Sequence, residues 1–120
     1  MNIIFGSDLV EEIANRYTVL ELDTIRTLPA GAKSTAWCVV EKIPLSELGR
    51  LDELKQLHHD MMTQYKTGDW SSCETSLKSL MHSWGTEVDS FYEIMLNRVR
   101  DLQANHPGPD WDPVIEKIDS

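Results

Sequence analysis

The chain has 120 residues, of which 41% are hydrophobic and 26% charged, with 20 acidic against 11 basic side chains and a formal net charge of −9. A domain of this size buries roughly 65% of the surface its unfolded form exposes, enough for a core without staples. The charge argues against a nucleic-acid backbone as ligand, which needs a basic face, and disfavours an anionic membrane surface.

No stretch approaches the ~20 apolar residues of a membrane span. The N-terminal residues lack the basic region and long apolar run of a signal peptide, so a reduced cytoplasm is the expected setting. The acids spread along the chain without a block of like charge. Cys38 and Cys73 fall on apolar faces and read as small buried thiols; sequence alone leaves a disulfide between them open. One domain over residues 1–120 is expected, with a strand-rich part at 1–45, a helical part at 46–105 and a tail at 106–120.

Ile3-Ile4-Phe5 is a short apolar run ended by Gly6, suited to a brief strand. Ser7 suits an N-cap, with Leu9, Val10 and Ile13 on one side of a short helix reaching Asn15. Tyr17–Thr27 reads as a strand: Tyr17, Val19, Glu21, Asp23 and Ile25 alternate with Thr18, Leu20, Leu22, Thr24 and Arg26. Leu20 and Leu22 mark its inward face. Pro29 and Gly31 punctuate a turn. Ser34–Ile43 is a second strand, with Trp37 and Val39 on one face and Ala36, Cys38 and Val40 on the other. So short a loop pairs the two strands antiparallel. A lone hairpin is marginal in water, and residues 2–5 are the candidate third strand. Pro44 stops the second strand because it cannot donate to the ladder.

The centre of the chain reads as three amphipathic helices separated by Gly68 and Gly85. Leu45–Leu48 suit a single turn. The first helix, about 49–67, carries Leu51, Leu54, Leu57 or His58, Met61 and Tyr65 at spacings of three and four. Gly68 ends it with a left-handed backbone, and Asp69 caps the next. That helix carries Trp70, Cys73, Leu77, Leu80 or Met81, and Trp84, and Gly85 ends it. Thr86 caps the third, with Asp89 in its first turn and Val88, Phe91 or Tyr92, Met95, Val99 and Leu102 as its line. Two-residue connections predict antiparallel neighbours. Asn105–Pro109 is a break, and Asp110–Ile118 a short helix or an extended tail, with Trp111, Val114 and Ile118 docking back. The expected fold is α+β: an N-terminal antiparallel hairpin, extended by a third strand and a short helix, packed on an antiparallel three-helix bundle.

Four groups of residues bear on function. His58-His59-Asp60 places three metal-ligand types in a row, but adjacent helical residues point about 100° apart and cannot share one ion unaided. His58 and His59 are therefore weak metal candidates, and His82 and His106 lie on other elements. Cys73 sits on a packed line, far from the electropositive setting that activates a thiol. Glu21 with Asp23, and Glu87 with Asp89 and Glu93, are carboxylate groups without a phosphate-binding glycine loop beside them. Trp37, Trp70, Trp84 and Trp111 are either core or anchors for a partner.

One stretch carries a resemblance. Tyr65-Lys66-Thr67-Gly68-Asp69-Trp70, then Cys73, Leu77 and Leu80, Asp89-Ser90-Phe91-Tyr92, Arg98, and Pro109-Asp110-Trp111-Asp112-Pro113-Val114 with Lys117, resemble the helical tail after the catalytic domain of some bacterial class III adenylate cyclases. That tail is similar to a tetratricopeptide helix pair. Glu21-Leu22-Asp23-Thr24-Ile25-Arg26 with Trp37, Val40 and Glu41 is similar to the strand pair that closes such a catalytic domain. The family's metal-binding aspartates and transition-state residues lie upstream of that pair, so no position here takes a catalytic role from it. The resemblance implies a helix-pair module for contacts with other protein.

The expectation is a small non-catalytic interaction or regulatory protein, without cofactor, nucleic acid or membrane, forming a homodimer through an exposed hairpin edge. The alternatives are an acidic inhibitor that mimics the ligand of a basic site, and a His-based metal-binding protein.

Overall fold

The computed structural model describes residues 2–5, 7–28, 31–41, 43, 45–86, 88–108 and 110–118. Gly6, Pro29, Pro44, Glu87 and Pro109, to which the sequence assigned breaks, a turn and a helix start, lie outside the described residues, as do the side chains of Ser7, Leu9, Leu45 and Ile118. The elements are β1 (Asn2–Phe5), α1 (Ser7–Ala14), β2 (Thr18–Leu28), β3 (Ala32–Val40), a 3-10 helix (Leu45–Arg50), α2 (Leu51–Thr67), α3 (Trp70–Leu80), α4 (Asp89–Ala104) and β4 (Ile115–Ile118). The class is α+β, as expected. Two compact units form: residues 1–41 with 113–120, and residues 42–112.

The first unit is a four-stranded sheet in the order β1-β3-β2-β4. β1 and β2 both pair antiparallel with β3, and residues 2–5 do supply the third strand. α1 lies against β1 and β2. Of the two readings given for the C-terminus, the helix is not found and the extended one is. Residues 115–118 form a strand that adds to β2 in parallel, Ile25 opposite Ile115. A parallel partner needs a long connection, and the helices between β3 and β4 provide it.

The alternation expected of β2 is corrected. Glu21 lies opposite Trp37 but Thr24 lies opposite Thr35, so Leu22 and Asp23 together face Ala36. This bulge shifts the pattern by one residue. Beyond it Ile25 pairs with Ser34, joining the face of Leu20 and Cys38 instead of that of Glu21. Thr24 moves to the Trp37 face, where its Oγ1 lies 3.0 Å from Thr35 Oγ1. Leu20, Leu22, Ala36, Cys38 and Val40 are buried.

In the second unit α2 packs against α3 and α3 against α4. The predicted lines fill the core: Leu54, His58, Met61 and Tyr65 from α2; Cys73, Leu77 and Leu80 from α3; Phe91, Tyr92, Met95 and Val99 from α4. Gly68 closes α2 at φ +81. Its N–H donates to Tyr65 O, and that of Asp69 donates to Gln64 O, satisfying carbonyls that the helix end leaves open. Asp69 stands at the N-cap of α3, but its side chain makes no capping bond; its carbonyl accepts from Cys73 N.

The α3–α4 connection differs from expectation. α3 stops at Leu80, and Trp84 lies in a turn instead of on the helix, still only 1% exposed. His82 breaks the helical path at φ +66, a conformation costing an L-residue about 1–2 kcal/mol. Asp89, the first residue of α4, offsets that cost. Its Oδ1 accepts from His82 N at 2.8 Å and its Oδ2 lies 2.6 Å from His82 Nδ1. Hydrogen bonds to a carboxylate contribute about 1.5–3 kcal/mol, a contribution of the same size as the strain. Asp89, in the first turn of α4 as expected, thus also holds the loop.

Two side-chain links yield predictions. His58 Nδ1 lies 2.9 Å from Tyr92 Oη, both groups buried, joining α2 to α4. Tyr92→Phe should lower stability by about 1–2 kcal/mol, read as a reduced urea midpoint at unchanged slope. Glu74 bonds Lys78 at 3.0 Å and Gln103 at 2.8 Å, linking α3 to α4. Those bonds, that of Lys78 foremost, hold its carboxyl below the usual range. Its contribution is therefore present above the ordinary carboxylate pKa and is lost as pH falls through the lowered one. The stability difference between wild type and Glu74→Gln should be constant near neutrality and vanish in acid.

Candidate interaction surface

The residues that suggested chemistry are largely engaged in packing. His58 is buried and bonded to Tyr92, with its ring 5.7 Å from the Tyr92 ring, whereas His59 is exposed. The neighbours therefore point to different environments. Among the described residues no three His, Cys, Asp or Glu side chains converge on a common point. The bulge separates Leu22 and Asp23 from the regular ladder, and Glu93 is exposed on α4.

Cys73 is sealed in the core. Its Sγ donates to Met61 O at 3.5 Å. Burial, and then the Asp69 carboxylate, push the thiol up to about 12, so it stays protonated near neutrality. Cys38 is buried and forms no disulfide.

The four tryptophans separate. Trp84 is buried in the core, the first of the two readings given for the tryptophans. Trp70 and Trp111 are half-buried and meet edge to face, centroids 5.5 Å apart. Trp111 meets Tyr65 the same way at 5.4 Å, and Trp70 lies 5.7 Å from His106. This cluster holds the segment after α4 against the α2–α3 turn, so Trp111 docks back as expected. Trp37 is half-buried on β3, in register with Ile4 on one side and Glu21 on the other. The indole N–H groups of Trp37, Trp70 and Trp84 have no acceptor among the described residues. These rings therefore contribute packing area more than hydrogen bonds.

Exposed apolar surface lies elsewhere. Ile3 is 47% exposed and Phe5 52%. They are two residues apart on β1, so they share a face, and β1 is an edge strand. Its sequence, Asn-Ile-Ile-Phe, has no charge. The opposite edge strand, β4, contains Glu116 and Lys117. Natural edge strands are commonly blunted by charge; β4 follows that rule and β1 does not. The expected exposed hairpin edge is thereby relocated. β1 covers β3 from Ala36 to Val39, and β4 covers β2 from Ile25 to Leu28. The sequence showed the apolar run but treated it only as cover for the hairpin; the absence of charge was the available signal.

No protein-family model matches the chain, and no curated protein or solved structure matches it either.

The state of Cys73 can be checked directly. A thiol-specific reagent should label it slowly in the native protein and rapidly once denaturant opens the core, with little acceleration between pH 7 and 9.

Proposed function

We propose that the protein is a non-catalytic interaction protein that engages its partner by strand addition at β1, in a cytoplasmic setting. The observation that carries this reading is the uncharged edge strand with Ile3 and Phe5 exposed on one face. Strand addition takes its affinity from main-chain hydrogen bonds along an open edge and its selectivity from alternate side chains. β1 offers both. The resemblance to cyclase tails supports the α2–α3 pair, with its two-residue Gly68-Asp69 turn, as a second contact face.

The net charge of −9 favours one further reading, a mimic that occupies a basic site on another protein. The two respond differently to salt. An acid–base contact weakens steeply as salt rises, whereas an apolar strand contact does not.

The test compares proteins recovered from the native source by wild type and by Ile3→Lys/Phe5→Lys, at low and high salt. Each side chain still buries about half its surface, so the double substitution should lower stability by about 1–3 kcal/mol, and a thermal melt beside the comparison shows that the variant is folded. The expected result is a partner retained in high salt by wild type and lost by the variant. Recovery of the same set by both would overturn the reading. Loss of every partner in salt would favour the mimic.

A further inference from the structure

Resting on the strand-addition reading, we infer that the occupant of the β1 edge is a second copy of this chain, paired antiparallel across a two-fold axis. Three observations converge on it.

The first is self-complementarity. A two-fold axis perpendicular to the sheet pairs residues of equal parity and keeps each face continuous. Centred on Ile4, it sets Ile4 opposite Ile4 of the second copy and Ile3 opposite the other copy's Phe5. The two exposed apolar side chains of each copy then cover those of the other. The sheet grows to eight strands in the order β4-β2-β3-β1-β1-β3-β2-β4.

The second is charge. Two chains of net charge −9 repel each other, and like charges directly opposite on paired strands destabilise the pair. β1 sets no charge opposite another. A basic partner would gain nothing from this strip and would be drawn to acidic surface instead.

The third is the unequal protection of the two edges. β4 contains Glu116 and Lys117 and β1 contains no charge, so the sheet is open on the side where an isologous contact closes. Four residues per copy make a small contact, below the ~1,200 Å² of stable interfaces. The dimer is accordingly weak and concentration-dependent.

This predicts an unusual salt response. The contact itself is apolar and the long-range force between copies is repulsive. Screening should therefore strengthen self-association, the reverse of its effect on an acid–base complex.

The experiment is sedimentation equilibrium of the full chain over a hundredfold dilution series at low and high salt, with Ile3→Lys/Phe5→Lys alongside. The expected result is a monomer–dimer equilibrium that tightens with salt in wild type and at least a tenfold weakening in the variant. Ile4→Cys supplies a second reading. Directly paired residues bring their β-carbons within disulfide reach, so mild oxidation should yield a covalent dimer. Tyr17→Cys, exposed but off the edge, should not.

A wild type monomeric at every concentration, or a dimer unaffected by Ile3→Lys/Phe5→Lys, overturns the self-pairing. If the wild type is monomeric but the same variant loses a foreign partner, strand addition stands and only the second copy is wrong. If the variant alters neither, both fall. Should Ile4→Cys not fold, the sedimentation comparison decides alone.

Discussion

The sheet depends on β3 lying between β1 and β2. Both neighbours run antiparallel to β3, so they run parallel to each other. Parallel strands cannot be joined by a tight turn, and α1 makes the crossing. Because that crossing passes over the position of β3, β1 is left outermost. The hairpin between β2 and β3 is local and closes at Gly31, whose φ of +75 suits a residue without a β-carbon. The placement of β1 is non-local and follows from the crossover. The same logic governs β4. It runs parallel to β2, and the residues between β3 and β4, helices included, form one long connection. An edge strand with exposed apolar side chains is thus a consequence of topology, and its lack of charge is what distinguishes it from β4.

In the helical unit, polar side chains are spent on holding elements together. His58 meets Tyr92 between α2 and α4, Ser76 meets Gln64 between α3 and α2, and Gln103 meets Glu74 between α4 and α3. Asp89 binds the loop that precedes its own helix. A buried polar group without a partner costs about 1–3 kcal/mol, so such pairs fix which faces of the helices meet. Met61, Met62 and Met95 are buried, as are Trp84 and Tyr92; methionine adapts to irregular gaps in a core. Histidine and cysteine here are structural parts of a seam.

Much of this was legible because it is periodic. The three- and four-residue spacing in α2, α3 and α4 identified Leu54, Met61, Leu77, Met95 and Val99 as core, and Gly68 marked the first turn by its own chemistry. What was not legible depends on contacts distant in sequence. The β2 bulge leaves no mark in an alternating run, since Leu22-Asp23 looks like any other step; only the register against β3 reveals it. Trp84 keeps helical spacing from Leu77 and Leu80 yet sits in a turn, because His82 leaves the helix and is held there by Asp89, seven residues on. Residues 115–118 are too few to announce a strand without β2 beside them. Among the candidates, periodicity placed His58 on the packed line, but its bond to Tyr92, 34 residues away, was invisible. The exposure of Ile3 and Phe5 was likewise hidden, because an apolar triplet reads as buried until its strand proves to be outermost.

Charge and edge also constrain what kind of assembly is tolerable. An unprotected edge strand is ordinarily a hazard, since it templates open-ended growth. If β1 of one copy added to β4 of the next, the contact would be heterologous and each addition would expose another free edge. A filament would follow. A net charge of −9 per copy opposes that arrangement increasingly as copies accumulate. Pairing β1 with β1 avoids that accumulation. It consumes the vulnerable edge of each copy, leaves charged β4 strands at the two outer sides, and brings together two net charges instead of many. The distribution of charge along this sheet is therefore compatible with a closed pair and hostile to a chain of copies.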